Sequence, residues 1–212
     1  MRLRNITDAK KTLGRQPDKV VMDPARHRGQ WGALFGNGGP IYLEVGMGKG
    51  QFICGMSEQL PGVNFLGIEK YDSVLLRALQ KLEQNPRHNV LLIRGEAENL
   101  ENYFAPTEIG RIYLNFPDPW PRRRDAKKRL THIGFLEKYR TVLAPGAEIQ
   151  FKTDDRGLFD FTLQHMKEHG LKLDRVVTDL HADEPLDNVR TEYETSKSAA
   201  GAKICQLVCR FG

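Results

Sequence analysis

From Ile41 onward, short apolar segments alternate with longer segments whose apolar residues recur at helical spacing. The predicted strands read IYLEVG, NFLGIE, NVLLIRG, RIYLNF, AEIQFKT, LKLDRVVTDL and KICQLVCRF. The predicted helices between them cover residues 49–60, 71–85, a short segment near 100, 133–143 and 156–169. This alternation is typical of βαβ units, so we expect an α/β fold with a doubly wound, mostly parallel sheet.

The two ends of the chain depart from this alternation. Residues 181–201 are polar and irregular, with no clear helix between the last two predicted strands, so we expect an antiparallel strand near the C-terminus. At the other end, the first 40 residues close with GNGGP before the first predicted strand. We therefore divide the chain into a basic N-terminal extension, residues 1–40, and a main domain, residues 41–212.

The positive charge of the chain is concentrated in two segments. The formal net charge is +5, but residues 1–30 and residues 121–129 each carry a formal +5, which leaves the rest of the chain acidic. Neither segment is interleaved with an apolar helical face, so we expect a polyanionic partner, and nucleic acid rather than a membrane. A solvated charge run is the alternative interpretation of each segment.

Composition limits the remaining classes of protein. No window approaches the roughly 18 apolar residues of a membrane span, and the first residues lack the apolar core of a signal peptide. Three cysteines without a CxxC pair argue against a disulfide framework and a thiolate zinc site. HMKEH, His165–His169, matches a zinc-peptidase pattern, but the dipole of a helix favours histidine at its end. We expect a cytoplasmic protein without a metal, as a monomer or homodimer.

A glycine-rich loop follows the first predicted strand. In EVGMGKG, Gly46, Gly48 and Gly50 alternate at the start of a helix, where backbone amides can approach a ligand closely. A dinucleotide fingerprint would need a third glycine where the chain has Gln51, and Glu44 would repel a diphosphate. The loop therefore favours a cationic or hydroxyl-bearing ligand.

The next two predicted strands also end beside acidic residues. GIEK places Glu69 at a strand end, where a carboxylate can bind both hydroxyls of an adenosine ribose. GEAENL adds Glu96 and the backbone amide of Ala97 near the same crevice. Three strand-end acids in phase favour a nucleoside site over three unrelated solvated carboxylates.

The segment LNFPDPWPRRR, Leu114–Arg124, combines three alternate prolines with an acid, a tryptophan and three arginines. Each proline pushes the residue before it, namely Phe116, Asp118 or Trp120, towards extended geometry. We therefore expect a stiff extended loop just beyond a buried strand, where α/β proteins often place their sites. Taken alone, the segment also fits a rigid turn with an aromatic anchor.

Together, EVGMGKG, GIEK, GEAENL, NFPDPWPRRRDAKKRL, FKTDD and TEYE resemble the bacterial tRNA (guanine-N-7)-methyltransferases, from about Leu43 to Tyr193. The resemblance implies a Rossmann-like methyltransferase sheet of seven strands, one of them antiparallel. It also implies S-adenosylmethionine as methyl donor and guanine 46, in the variable region of tRNA, as acceptor. The family usually carries Lys at the position of Arg122, a difference that keeps the charge and changes the hydrogen-bonding geometry.

The resemblance further implies roles for individual residues. The residues expected to bind the donor are Glu44, Gly46, Gly48, Glu69, Glu96, Ala97 and Asp118, and Asp118 is also the expected catalytic residue. The residues expected to bind the substrate nucleotide are Arg122, Asp154, Thr191, Glu192, Tyr193 and Glu194. The basic run supplies the expected RNA-binding residues Arg123, Arg124, Lys127, Lys128 and Arg129.

Methylation of guanine at N-7 removes no proton, because that nitrogen already has a free lone pair. The expected task of the site is alignment, with Asp118 accepting hydrogen bonds from the edge of guanine and Trp120 or Phe116 stacking on the base. Two alternatives stay open on sequence alone. One is an RNA-binding protein that keeps the fold without turnover, and the other is a nicotinamide oxidoreductase, which Gln51 and Glu44 disfavour.

Overall fold

A computed structural model of the protein describes residues 7–212, so the first six residues of the predicted extension lie outside the described residues. The strands are β1 Val20–Val21, β2 Ile41–Val45, β3 Asn64–Glu69, β4 Val90–Arg94, β5 Ile109–Asn115, β6 Leu143–Thr153, β7 Leu171–Val177 and β8 Cys205–Phe211. The helices are α1 Ala9–Leu13, α2 Trp31–Phe35, α3 Gln51–Gln59, α4 Asp72–Gln84, α5 Leu100–Tyr103, α6 Ile133–Val142, α7 Arg156–Glu168 and α8 Glu192–Ala199.

The described strands form one sheet in the order β1-β4-β3-β2-β5-β6-β8-β7. All pairs are parallel except those of β8, which runs antiparallel to both β6 and β7. The predicted doubly wound sheet with one antiparallel strand is therefore confirmed. The predicted number of seven strands is one too low, because Val20–Val21 pairs with β4 at the sheet edge. A strand of two residues has no alternation that a sequence pattern could reveal.

Side-chain alternation divides the core between the two faces of the sheet. Within β3, Leu66 and Ile68 join the larger apolar cluster, whereas Phe65 joins the smaller one. The larger cluster packs against α6 and α7, and the smaller one packs against α3 and α4. Trp31 is fully buried in the larger cluster, so part of the predicted extension packs against the main core. The division of the chain at residue 40 stays a prediction.

The segment predicted to be irregular contains a helix, so that prediction is wrong. Thr191 caps α8 by accepting a hydrogen bond from the backbone amide of Glu194 at 2.8 Å, and the Glu194 side chain reaches back to the Thr191 amide at 3.4 Å. This reciprocal pair is a capping box, which satisfies two donors at the start of a helix. The pattern T-x-x-E was visible in TEYE, but the polar composition of the segment obscured it.

The strand order reverses beside β2. From β2 the chain passes to β3 and β4 on one side, and then crosses to β5 on the other side. Such a switch point opens a crevice at the carboxyl ends of the two central strands, where α/β proteins bind their ligands. Glu44 and Asn115 lie at the carboxyl ends of β2 and β5. Among residues 7–212, no helix combines the length and the apolar character needed to cross a membrane.

Candidate active site

The glycine loop turns sharply between β2 and α3. Gly46, Gly48 and Gly50 have φ values of 76°, 58° and 75°, a left-handed conformation that glycine adopts without steric cost. A Cβ atom at Gly46 or Gly48 would meet no atom within 4 Å, whereas one at Gly50 would lie 3.1 Å from the Cβ of Ala78. The first two glycines therefore border open space that a ligand can enter, and the third packs against α4.

Glu69, at the end of β3, supports this loop. Its carboxylate accepts hydrogen bonds from the backbone amides of Gly48 at 3.2 Å and Tyr71 at 2.9 Å. The side chain is buried, and this burial raises the pKa of Glu69 above its ordinary value. Glu69 is thus held in place by hydrogen bonds from the loop that it faces. Its predicted contact with the ribose stays a prediction.

Glu44 is buried at the switch point beside Asn115. The Asn115 amide donates to Glu44 Oε1 at 2.8 Å, while Glu44 Oε2 and Asn115 Oδ1 are buried without a partner among the described residues. Burial raises the pKa of Glu44 to about 8, against the opposing effects of Asn115 and Lys152. When Glu44 is ionised, these two buried oxygens are acceptors that suit a cationic or hydrogen-bond-donating ligand. The sequence analysis gave Asn115 no role, although it lies within the segment LNFPDPWPRRR.

Glu96 and Ala97 follow the end of β4. Glu96 is exposed, and its backbone amide donates to the hydroxyl of Tyr103 at 3.4 Å. Ala97 begins a short 3-10 turn that runs from Ala97 to Asn99. The structure therefore places both residues at the carboxyl edge of the sheet, on the same edge as Glu44 and Glu69.

The loop after β5 is not the extended segment that its prolines predict. Phe116 and Trp120 have φ values of 50° and 42°, so the prediction is wrong for both residues. Positive φ is costly for aromatic residues, and it persists only where the surroundings impose it. Here the Phe116 amide donates to the Lys152 carbonyl oxygen at 2.8 Å, and the Phe116 ring lies 5.1 Å from the ring of Tyr193.

Arg129 braces the other end of this loop. Its guanidinium donates to the carbonyl oxygens of Pro119 and Trp120, each at 3.0 Å, and lies over the ring of Phe161 at 4.2 Å. Lys128 is 4.6 Å from the centre of the Trp120 ring. These two predicted RNA-binding residues therefore also hold the loop in shape.

The remaining predicted residues of this segment face solvent. Asp118 is exposed and makes no hydrogen bond or ion pair with the described residues. Exposed side chains also follow it along the basic run at Arg122, Arg123, Arg124 and Lys127. The structure thus presents one acid and four cations on a loop that is held by hydrogen bonds to Arg129 and to the backbone of Lys152.

The TEYE motif begins α8, and all four of its side chains contact other residues of the protein. Thr191 caps the helix, as described above. Glu192 pairs with Lys49 at 3.1 Å and Lys81 at 2.7 Å, which lowers its pKa against the opposing effect of burial. Glu194 is fully buried. Only Tyr193 projects outwards, with its hydroxyl 3.3 Å from a carboxylate oxygen of the predicted substrate ligand Asp154.

Glu194 belongs to a buried polar network that the sequence did not reveal. It pairs with Lys152 at 2.9 Å and with His181 at 2.9 Å. Burial would raise the pKa of Glu194, but Lys152 and the other partners hold it below its ordinary value. Lysine is rarely buried, so FKTDD gave no signal that the Lys152 side chain points inwards.

One group of three potential metal ligands occurs within the described part of the chain. It comprises His181, Glu184 and Glu194, whose ligand atoms lie within 4.8 Å of one another. Arg190 pairs with Glu184, and Lys152 pairs with Glu194, so both carboxylates already have cationic partners. The His165 and His169 rings of the zinc-peptidase pattern lie 5.4 Å apart near the end of α7.

Comparison with known proteins extends over nearly the whole chain. A family described as putative methyltransferase matches residues 38–207. The chain is 47% identical over 212 residues to the tRNA (guanine-N(7)-)-methyltransferase of Lysinibacillus sphaericus, which covers 100% of this chain and 98% of that protein. It is also 47% identical to the enzyme of that name from Bacillus velezensis, over 96% of this chain and 94% of the relative.

Among solved structures, an antibiotic-related methyltransferase superposes on this chain with a TM-score of 0.63 at 15% sequence identity. The superposition covers 90% of this chain and 96% of the other chain. At that identity the likeness concerns the fold alone, and it agrees with the doubly wound sheet described above. The family assignment depends instead on the relatives, whose identity and coverage are high. The chain belongs to the tRNA (guanine-N(7)-)-methyltransferase family.

Proposed function

We propose that this protein transfers the methyl group of S-adenosylmethionine to N-7 of a guanine in tRNA. The observation that carries the proposal is the position of Asn115 and Phe116, two consecutive residues at the end of β5. Asn115 contacts Glu44 in the crevice beside the glycine loop, and Phe116 begins the exposed proline loop. The peptide bond between Asn115 and Phe116 therefore joins the proposed donor pocket to the proposed acceptor loop.

The donor would be held by residues from three strand ends and the proline loop. They are Glu44, Gly46, Gly48, Glu69, Glu96, Ala97 and Asp118. The unpaired oxygens of Glu44 and Asn115 suit the ammonium group of a cationic donor, and the open space beside Gly46 and Gly48 admits it. When bound, S-adenosylmethionine supplies an electrophilic methyl group on a sulfonium.

The residues of the acceptor loop would orient the base. Asp118 is the proposed catalytic residue, because its exposed carboxylate can accept hydrogen bonds from the N–H groups on the edge of guanine. Tyr193 and Phe116 offer aromatic faces for stacking. No residue needs to act as a general base, since the attacking nitrogen carries no proton. Rate acceleration then comes from alignment and the exclusion of water.

The exposed cations Arg122, Arg123, Arg124 and Lys127 would contact phosphates on either side of the base. The position modified is proposed to be guanine 46 in the variable region, and the site of action is the cytoplasm. The protein would work there as a monomer or a homodimer.

The test is incubation of the purified protein with unmodified tRNA and S-adenosylmethionine carrying a labelled methyl group. Nucleoside mass spectrometry should detect the label in 7-methylguanosine, and fragment mapping should locate it at position 46. Tight tRNA binding without label transfer would support the non-catalytic alternative. Label at another base or another atom would contradict the proposed acceptor.

A further inference from the structure

Lys152 has an unusual position for a lysine, a residue that is rarely fully buried. Its side chain is fully buried near the end of β6, and its ammonium has three acceptors. The Nζ atom donates to Asn188 Oδ1 at 2.7 Å, to the Val189 carbonyl oxygen at 3.0 Å and to Glu194 Oε2 at 2.9 Å. All three hydrogens of the ammonium are therefore used, which is the condition for burying such a charge.

All three acceptors belong to residues 188–199, which comprise α8 and the residues that lead into it. Asn188 and Val189 precede the helix, and Glu194 lies in its first turn. Within α8, the Lys152 ammonium therefore binds the side chain of Glu194, which lies on the buried side of the helix. The exposed side of the same turn carries Tyr193.

The backbone of Lys152 holds the other part of the acceptor site. Its carbonyl oxygen accepts the hydrogen bond from the Phe116 amide at 2.8 Å, at the first residue of the proline loop. One residue of β6 therefore contacts the proline loop through its backbone and α8 through its side chain. The Phe116 and Tyr193 rings, whose centres are 5.1 Å apart, therefore belong to the two segments that Lys152 contacts.

We propose that Lys152 is a positioning residue for methyl transfer, which fixes Tyr193 of α8 against the proline loop that carries Asp118. On this proposal Glu194 serves the substrate indirectly, by docking α8 onto Lys152, because a fully buried carboxylate has no surface to offer a nucleotide. The proposal rests on the proposed function, since it assigns these residues roles in that reaction.

The first test exploits the charge balance of the pair. Lys152→Gln leaves the Glu194 carboxylate buried without its cation, which destabilises the docked position of α8. A partly populated docked state lowers apparent affinity by its fractional population, while saturating tRNA restores docking. We expect the KM for tRNA to rise by at least about tenfold, with kcat and the Kd for S-adenosylmethionine within about threefold of wild type.

The matched rescue is the double variant Lys152→Gln/Glu194→Gln, which removes both charges and retains hydrogen-bonding groups. We expect its KM for tRNA to return to within about threefold of wild type. The control is Lys138→Gln, because Lys138 forms a 3.0 Å ion pair with Glu101 that joins α6 to α5 and lies partly in solvent. Its kinetic constants should stay within about twofold of wild type.

Hydrogen exchange without any substrate separates this proposal from the proposed function. Exchange in residues 188–199 should accelerate by about tenfold or more in Lys152→Gln and recover in the double variant. This result can be obtained even if the wild-type protein fails to methylate tRNA. That failure would overturn the proposed function and the role of Lys152 in methyl transfer, but it would leave the docking of α8 by Lys152 to be judged from the exchange data.

Three outcomes would overturn the positioning role. They are an unchanged KM for tRNA despite faster exchange, a double variant no better than Lys152→Gln, and equal losses in the binding of tRNA and of S-adenosylmethionine. If Lys152→Gln does not fold, Glu194→Gln provides the same test from the other side of the pair, because Lys152 then loses its anionic partner. It too should raise the KM for tRNA and be rescued in the double variant.

Discussion

The two sides of the crevice are held in place by different kinds of contact. On the donor side, residues 44–50 and Glu69, the loop is fixed largely through backbone groups. The amides of Gly46 and Met47 both donate to the Ile68 carbonyl oxygen, at 2.9 and 3.0 Å. On the acceptor side, residues 116–120 and α8, long charged side chains fix the positions, chiefly Arg129 and Lys152. Substitutions should therefore affect the two sides through different measurable quantities.

The largest effect is expected from Asp118→Ala on the acceptor side. If Asp118 holds the edge of guanine, the variant loses one or two charge-assisted hydrogen bonds in the transition state, which corresponds to a roughly 10- to 1000-fold fall in turnover. Affinity for tRNA should change little, because phosphate contacts supply most of it. Single-turnover kinetics and filter binding measure the two quantities separately.

Asp183→Ala is the matched control, since Asp183 is an exposed aspartate in the loop between β7 and α8. It should behave like the wild type in both assays. A folded Asp118→Ala protein that methylates tRNA at the wild-type rate would remove Asp118 from the mechanism. The proline motif would then be only a rigid turn.

The next effect is expected on the donor side, from Glu69→Ala. The variant loses hydrogen bonds to the donor. It also removes the carboxylate that accepts hydrogen bonds from the backbone amides of Gly48 and Tyr71. Affinity for S-adenosylmethionine should fall roughly 10- to 100-fold, since charge-assisted hydrogen bonds contribute about 1.5 to 3 kcal/mol each. Calorimetry without tRNA measures this, with the exposed Glu83→Ala as control. Unchanged affinity would mean that Glu69 supports the loop without touching the donor.

The same contrast explains what sequence could predict. The donor side follows from local rules, because alternate glycines after a strand specify a left-handed turn, and strand ends bring Glu44 and Glu69 to one edge. Positive φ at Phe116 and Trp120 escaped prediction, since the proline rule describes a chain without tertiary contacts. The burial of Lys152 also depends on acceptors 36 to 42 residues away in sequence. Such partners can be identified only once the chain is folded.

The basic run tests whether the acceptor side contains two kinds of cation. Neutralising the exposed Arg123, Arg124 and Lys127 should weaken tRNA binding and flatten its salt dependence, by up to about 0.9 in log–log slope per lost phosphate contact. Arg129→Met should instead lower turnover and leave the salt dependence of tRNA binding almost unchanged. The reason is that the Arg129 guanidinium already donates to the carbonyl oxygens of Pro119 and Trp120. A slope change of about 0.9 in Arg129→Met alone would show that Arg129 binds a phosphate and does not mainly brace the loop.

The smallest effect concerns pH and the buried carboxyl of Glu44 on the donor side. Its folded-state pKa, raised by burial to about 8, lies above the ordinary value of 4.5, so the folded protein holds a proton that the unfolded chain releases between these values. This contribution to stability is fully present below about pH 4.5 and is lost as the pH rises through about 8. Glu44→Gln removes the titration while keeping an oxygen that can accept the hydrogen bond from Asn115.

Melting temperatures of the wild type and Glu44→Gln should therefore diverge between pH 5 and pH 9, with the variant gaining on the wild type as the pH rises. Each kcal/mol corresponds to about 2 to 4 °C for a chain of this length. Saturating S-adenosylmethionine should reduce the divergence, because a bound cation stabilises the ionised form of Glu44 that burial alone disfavours. Parallel melting curves across the pH range would show that Glu44 is ionised in the folded protein without a ligand. The donor side would then resemble the acceptor side, where Lys152 already balances the charge of Glu194.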